Sequence, residues 1–596
     1  MIGHRLPAPA TGPAVAGAGE SGAGESRAEA PAALCMDRLA WQRIVFAERP
    51  RRLDLLRLRA SWPLRPIRVR VHRNQPFEFV ASVLHPFLAS ADIEANLEIG
   101  PYDDSLGRLG ESVELTSDVE IVWLDIERYL GRREPDEVAA WLAGRIEILR
   151  TVSAAPILVA GAIRAGDASD RFNEALGAAL AGRPGTRVVD VAAVARELGD
   201  GCFDVRSERF AGSSLSDAAA IEMARRFGLV WIPEAVSPRL KLLAVDLDNT
   251  LYDGVLGEDG AAGLGLSGAR EGIQRRLVEL AESGILLALV SRNEPDDVRR
   301  LFEARPDFPL RLERLSAVEA SWTPKADGLA AAAERLRVGP DAILFIDDNP
   351  GELAAVSAAL PGVKPLLAAD ADQALRGLRW YPGLAAARRT REDVLRAADV
   401  SASGARRALE LKAADPSAYV RSLEVRLSFA LATRDQLARV HELSVKTNQF
   451  NTAFLRLSEA EVEACLADPA VRVVSVALAD RLSDSGIVGL ILVRLATGSS
   501  GRPPVVEEVA ISCRALGRGV EDVIVTEGLR GALGPSLPDR VHFAFHAGPR
   551  NGPARAWLER IAGRAVGEEG LTVPWARLES ARQAAADLVE IAWRLE

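Results

Sequence analysis

Three short apolar runs constrain this chain more than any other feature. They are Leu242-Leu-Ala-Val245, Ile285-Leu-Leu-Ala-Leu-Val290 and Ala342-Ile-Leu-Phe-Ile346. Each is unbroken and rich in branched residues, as strands are when both faces of a parallel sheet are covered. Each also ends at once in polar residues. The first leads into Asp246-Leu-Asp248-Asn249-Thr250, the second into Ser291-Arg292-Asn293, and the third into Asp347-Asp348-Asn349-Pro350. Between the second and third, Trp322-Thr-Pro-Lys325 opens a predicted helix. In an open α/β sheet, ligands bind at the carboxyl ends of the strands, so these groups are expected to converge.

Their types suit phosphoryl chemistry. A phosphoryl group in transit carries charge on its equatorial oxygens, and that charge must be neutralised. Asp246 with Asp347 or Asp348 supplies hard oxygen ligands for Mg²⁺. Of two acids two residues apart, Asp246 can attack phosphorus while Asp248 moves the leaving group's proton. Lys325 and Ser291 can hold phosphoryl oxygens. Asn349-Pro350 reads as the cap and first position of a helix, whose N–H groups would also face the site.

Only about 40 residues separate Thr250 from Ser291, and about 33 separate Ser291 from Lys325. Helix and strand patterns largely fill both spans, so no separate cap domain fits. The site is expected to be open to a macromolecular or tethered substrate, or covered by another domain of the chain. Tyr252 to Gly260 is rich in Gly and Asp and predicts a small β-hairpin flap.

A length of 596 residues predicts three or four domains. The net charge of −10 argues against a nucleic-acid partner. Four dispersed cysteines with no Cys-x-x-Cys spacing, and no apolar stretch of transmembrane length, point to a reducing cytoplasm and no membrane partner. Residues 1–35, rich in Ala, Gly, Pro and Glu, read as a disordered tail. His542 and His546 alternate along a predicted strand, too far apart to share a metal ion.

Residues 67–236 read as an α/β domain, with strands predicted at Ile67–Val71, Val119–Leu124, Pro156–Ala160 and Arg187–Val191 and helices around Glu137–Arg150 and Asp217–Phe227. Asp125 and Gly100–Asp103 stand at predicted strand ends. A site domain over 238–380 and a charged helical linker over 381–418 follow. A third domain, 419–575, holds strands at Leu423–Leu431, Gly486–Val493 and Val505–Ser512. Arg514-Ala-Leu-Gly517-Arg-Gly519 follows the last strand and opens a helix. That string resembles the one with which GNAT-type N-acetyltransferases hold the pyrophosphate of coenzyme A, and glycines there would let backbone N–H groups approach an anion.

The four site elements, in this order and spacing, resemble the haloacid dehalogenase (HAD) superfamily. With Gly254-Val-Leu-Gly-Glu-Asp-Gly260, Lys446-Thr-Asn-Gln-Phe-Asn451, Asp480 with Gly486 to Gly489, and Ser512-Cys-Arg-Ala-Leu-Gly-Arg-Gly-Val-Glu521, the chain resembles the FkbH-like proteins of HAD subfamily IIIC over roughly residues 67 to 570. The resemblance implies a multidomain α/β fold: an SGNH-like domain, a capless HAD-type Rossmannoid domain and a GNAT-like α+β domain. It implies Asp246 as nucleophile and Asp248 as general acid/base. Thr250, Ser291, Arg292, Asn293 and Lys325 would bind phosphate. Asp246, Asp248 (through its carbonyl), Asp347 and Asp348 would hold Mg²⁺. Arg514, Gly517 and Gly519 would bind phosphopantetheine or coenzyme A. The implied partner is an acyl carrier protein in polyketide or hybrid biosynthesis, loaded with the acyl group of a phosphorylated small acid such as 1,3-bisphosphoglycerate.

Three departures stand out. His72-Arg-Asn-Gln75 follows the first strand without the serine an SGNH hydrolase needs, so that domain is expected to be hydrolytically inactive. Val290 stands where glyceryl-carrying relatives have a cysteine, and valine forms no acyl-enzyme. Tyr252-Asp253 replaces the usual Trp-Gly and adds a charge near the site. Two other readings stay open: a stand-alone small-molecule phosphatase with accessory domains, and a non-catalytic protein that docks a synthase or binds coenzyme A.

Overall fold

The computed structural model describes residues 26–102, 116–384, 402–496, 502–548 and 550–594, together with 395 and 399. The chain is a multidomain α/β protein built on three sheets. Helix α1 (Ser26–Val45) comes first. Strands β1 (Arg65–Arg73), β2 (Ile93–Tyr102), β3 (Val119–Trp123), β4 (Ile157–Ala160) and β5 (Thr186–Val189) then form an all-parallel sheet in the order β2-β1-β3-β4-β5.

The second sheet carries the three apolar runs. It contains β6 (Leu242–Val245), β7 (Leu286–Ser291), β8 (Ala317–Ala320), β9 (Ile343–Asp347) and β10 (Lys364–Leu367), all parallel, in the order β10-β9-β6-β7-β8. Every residue of β6, β7 and β9 is buried. Burying each large apolar side chain contributes roughly 1.5–3 kcal/mol, so these strands serve stability and the chemistry falls to the residues at their carboxyl ends. Three helices matter for the site: α2 (Leu256–Gly263) after β6, α3 (Lys325–Leu336) after β8, and α4 (Pro350–Ala359) after β9. The chain runs outward from β6 to β7 and β8, then returns to place β9 on the other side of β6. The order reverses between β6 and β9, which is where open α/β sheets bind ligands.

The third sheet holds β11 (Arg426–Leu431), β12 (Phe450–Asn451), β13 (Val471–Ala479), β14 (Asp484–Arg494), β15 (Val505–Ile511), β16 (Arg540–Phe543), β17 (Leu571–Pro574) and β18 (Glu590–Trp593). Its order is β17-β16-β15-β14-β13-β11-β18, with β12 beside β15. Helices α5 (Leu437–Lys446) and α6 (Glu521–Leu533) pack on it.

Several expectations change here. Residues 1–25 lie outside the described residues, as does Asp103, but 26–35 belong to α1 and are not a disordered tail. Leu39, Trp41 and Val45 of α1 are buried in the core, and Cys35 is 2% exposed. The flap is not a hairpin: a single bridge, Asp253–Gly265, closes a loop whose body is α2. The third domain does not stop at 575, since β18 pairs in parallel with β11 and Trp593 stacks on Phe429 with ring centroids 5.2 Å apart. The linker expectation falls partly on residues outside those described; Ser403–Lys412 within it is helical, and a second helix, Pro416–Leu423, crosses its expected end at 418. Among the described residues, no helix is long and apolar enough to cross a membrane.

Candidate active site

The site forms at the reversal point. Asp246 follows β6 directly and is 4% exposed, and Asp347 ends β9 and is fully buried. Pairing of β6 with β9 continues one step past β6, where Asp246 N–H donates to Ile346 O at 3.0 Å. Lys325, the first residue of α3, reaches both acids. Its Nζ lies 3.0 Å from Asp246 Oδ1 and 2.6 Å from Asp347 Oδ2. Asp348 completes a cluster of three carboxylates with oxygens within 4.8 Å of one another, the one such acid, histidine or cysteine group among the described residues.

These charges set the electrostatics. Burial, then the neighbouring Asp347, pushes the Asp246 carboxyl up to about 7 against the pull of Lys325. Burial also raises Asp347 and Asp348. For Lys325, burial alone would lower the ammonium, but Asp246 and Asp347 together hold it above the ordinary lysine value. Like charges about 4 Å apart repel by about 4 kcal/mol at an effective dielectric of 20, so the cluster favours a divalent cation.

Asp248 is fixed by three donors. Tyr252 Oη and Leu256 N–H donate to its Oδ1 at 2.7 and 2.8 Å, and Asn293 Nδ2 donates to its Oδ2 at 2.8 Å. Asn293 also donates to Ser291 Oγ at 3.0 Å, which ties the ends of β6 and β7. Thr250 is fully buried, and its hydroxyl has no hydrogen-bond partner. Asn349 caps α4 by accepting from Gly351 N–H at 2.8 Å, with Pro350 in the first turn, as the sequence predicts. The structure thus gathers Asp246, Asp248, Ser291, Asn293, Lys325, Asp347 and Asp348. Arg292 stands apart: its guanidinium is half exposed and pairs with Glu352 at 3.0 Å.

Sequence reading missed three supports. Tyr252, fully buried and stacked on Phe308, has its phenol pushed up by burial and by Asp248, so it stays a neutral donor. Arg270 donates to Thr250 O at 3.1 Å and Gln274 to Leu251 O at 2.8 Å. Both lie on the buried face of the helix Gly268–Glu282. Two polar residues four apart on an otherwise apolar face were the available signal. The charge expected from Asp253 is also offset, because its carboxylate accepts from Ser267 N–H at 3.1 Å and lies 3.3 Å from Arg270.

The chain matches no protein-family model and no curated protein. Among solved structures it overlaps the N-terminal part of a Bacteroides fragilis protein containing a phosphatase domain complexed with Mg. That overlap has 18% identity and a TM-score of 0.46 over 58% of this chain and 98% of that one. A putative HAD-like phosphatase from Mesorhizobium loti gives 16% identity and 0.19 over 24% and 88%. A GCN5-related glucosamine N-acetyltransferase region of a fungal multi-domain β-N-acetylglucosaminidase gives 10% and 0.16 over 88% and 65%. Overlaps this distant transfer no activity.

The remaining sequence candidates lie elsewhere. Val290 is 1% exposed within an apolar cluster, and its Cγ1 would lie 3.5 Å from a Cβ built on Gly328 of α3. Cys202 is fully buried in the first domain, where its carbonyl accepts from Ser216 N–H at 2.9 Å, and burial pushes its thiol up to about 11. In the first sheet, Asn74 follows β1, accepting from Asp125 N–H at 2.6 Å and donating to Tyr129 Oη at 3.2 Å. His72 lies 2.9 Å from buried Glu120, not from a serine. His542 bonds to Thr572 and the Glu569 carbonyl.

The loop of Arg514, Gly517 and Gly519 has the expected backbone, with φ of +76° and +66° at the glycines, but it does not fit a pyrophosphate. Glu521 places a carboxyl, raised chiefly by burial, two residues past Gly519 at the head of the next helix, where an anion would need donors. Arg337 of the second domain donates to the carbonyls of Cys513 and Leu516 at 3.2 and 2.7 Å. Arg518 is spent on Asp399 and Asp480, at 2.9 and 3.1 Å.

Proposed function

We propose that this chain is a Mg²⁺-dependent phosphatase or phosphotransferase of the HAD type with Asp246 as its nucleophile. The observation that carries this is the buried Asp246–Lys325–Asp347 bridge at the strand-order reversal, with Asp348 beside it. Three crowded carboxylates fit a small hard cation, and Asp246, Asp347, Asp348 and the Asp248 carbonyl would hold it. When bound, Mg²⁺ neutralises these acids and the phosphoryl oxygens.

The chain's own groups then account for the reaction. A carboxylate oxygen of Asp246 attacks phosphorus as the bond to the leaving oxygen breaks, and Asp248 gives that oxygen its proton. Lys325 and the Ser291 hydroxyl hold the phosphoryl oxygens. In the second half, Asp248 takes a proton from water as the water oxygen attacks phosphorus. The bond to Asp246 breaks, and inorganic phosphate leaves. Tyr252, Asn293 and the Leu256 N–H keep Asp248 in place for both transfers.

The finer reading is FkbH-like: a phosphorylated small acid is the substrate, and its acyl group passes to the phosphopantetheine thiol of an acyl carrier protein. The capless loops and the 69%-exposed Trp322, three residues before Lys325, support a mouth open to a tethered partner. A second reading, a stand-alone phosphatase, is favoured by buried Val290, which leaves no thiol on that strand end. Holo-carrier proteins incubated with the chain, Mg²⁺ and phosphorylated three-carbon acids separate the two by intact mass. An acyl adduct supports the first, free phosphate alone supports the second, and no phosphate from any substrate removes both.

A further inference from the structure

Inside the third sheet, an extended ligand could add as a strand where β15 and β16 separate. β15 and β16 run parallel but pair only at Val505–His542 and Val506–Phe543. Beyond that point they part, and a diverging pair presents facing rows of backbone donors and acceptors. Sheet edges of this kind recognise extended amide-bearing chains through main-chain hydrogen bonds. A pantetheine arm, with two amides, is such a chain.

The gap is filled by the protein itself. In β12, Phe450 and Asn451 pair with Ile511 and Ala510 of β15. Thr452 N–H donates to Val509 O at 3.1 Å. On the other side His546, on the segment leaving β16, donates its N–H to Thr452 O at 2.8 Å. The inserted segment is therefore bonded along both edges.

Side chains lock it. Val509 N–H donates to Thr452 Oγ1 at 2.9 Å. Asn551 Nδ2 donates to Asn451 O at 3.0 Å. Asn451 Nδ2 donates at 3.0 Å to Glu508, a fully buried acid that also accepts from Ser444 Oγ at 2.8 Å and Leu455 N–H at 3.0 Å. Phe454 and Arg456, just beyond, hold φ of +53° and +55°. Side chains other than glycine keep such angles only where surrounding contacts over-determine them.

We infer that Phe450–Thr452 is a permanent internal strand in this slot, so that the C-terminal domain takes neither coenzyme A nor a pantetheine arm into its sheet. It is a brace, not an acyltransferase. This gives the Lys446–Asn451 string a structural task, and it sends any carrier-borne thiol to the mouth of the second domain instead.

Hydrogen exchange on the full chain, with and without millimolar coenzyme A, tests this, with calorimetry on the same sample. The peptide covering 449–454 is expected to be as protected as one from β14, to be unchanged by coenzyme A, and to be accompanied by no binding heat. Exchange of that peptide within seconds would show a displaceable strap and overturn the inference. So would a coenzyme A-dependent change in its protection, or binding in the micromolar range.

Discussion

Asp246 is placed where its charge is costly without a cation. Its carboxyl is raised to about 7 by burial and by Asp347. A raised carboxyl binds its proton more tightly folded than unfolded, so its contribution to stability is present below the ordinary carboxylate range and is lost as pH rises through about 7. The loss is on the order of 2–4 kcal/mol for a buried acid shifted this far. Melting of the metal-free protein should therefore fall from pH 5 to pH 8, and Mg²⁺ should raise the midpoint more at pH 8 than at pH 5. Asp246→Asn should flatten that part of the pH dependence, melt higher than the metal-free wild type at pH 8, and release no phosphate. A variant that turns over normally, or melts lower at pH 8, contradicts the assignment. Asp248→Asn should slow phosphate release by about 10²–10⁴-fold, the usual contribution of a positioned acid/base. Position 290 gives a separate test. Because Val290 packs beneath α3, Val290→Cys should leave a buried thiol that iodoacetamide does not label in the native state and that gains no acyl adduct. Rapid native labelling would show that this strand end opens onto the site.

Elements were legible where burial on both faces left one reading. β6, β7 and β9 appear as sequence predicts because no other element tolerates such runs between polar ends. The site was legible for the same reason, since each acid sits at or just past the end of a strand. What failed lay where tertiary contact overrides local composition. Pro31 and the Ala-rich start of α1 look disordered, yet the helix packs its far end into the core. The Gly- and Asp-rich flap carried turn signals, and Gly260, at φ +64°, breaks a short helix instead of turning a hairpin. The pyrophosphate string was misleading because Arg518 is held by Asp399 and Asp480 and Arg337 occupies the carbonyls of the turn. At this scale the Asn349 cap is a direct test. Asn349→Ala should cost about 1 kcal/mol and, by loosening the turn whose backbone N–H at 349 donates to Asp347 Oδ1 at 2.9 Å, raise the Mg²⁺ concentration needed for half-maximal phosphate release. An unchanged metal requirement would separate the cap from the site.

For the whole molecule, the first two sheets act as one body and the third braces it from below. One continuous apolar cluster runs through the first two, and Asp92 takes ion pairs from both Arg38 and Lys364. The third domain is tied at the amino ends of their strands. Arg550 pairs with Asp341, just before β9, at 2.6 Å, Gly185 N–H, just before β5, donates to Glu459 at 2.7 Å, and Arg337 closes α3 against the Cys513–Leu516 turn. No sequence pattern announces such pairs, because each is an ordinary surface charge until two domains meet. Lys325 and Arg337 mark opposite ends of the same helix, so the brace lies about 18 Å from the chemistry at 1.5 Å per residue. Arg337→Ala together with Asp341→Ala should therefore loosen the C-terminal domain and speed its proteolytic release. Phosphate release from a small substrate should stay within about twofold, the usual range for surface changes remote from a site. If turnover instead falls tenfold or more while Mg²⁺ still protects the fold, α3 is transmitting the docking state to Lys325, and the third domain controls the reaction instead of merely supporting it.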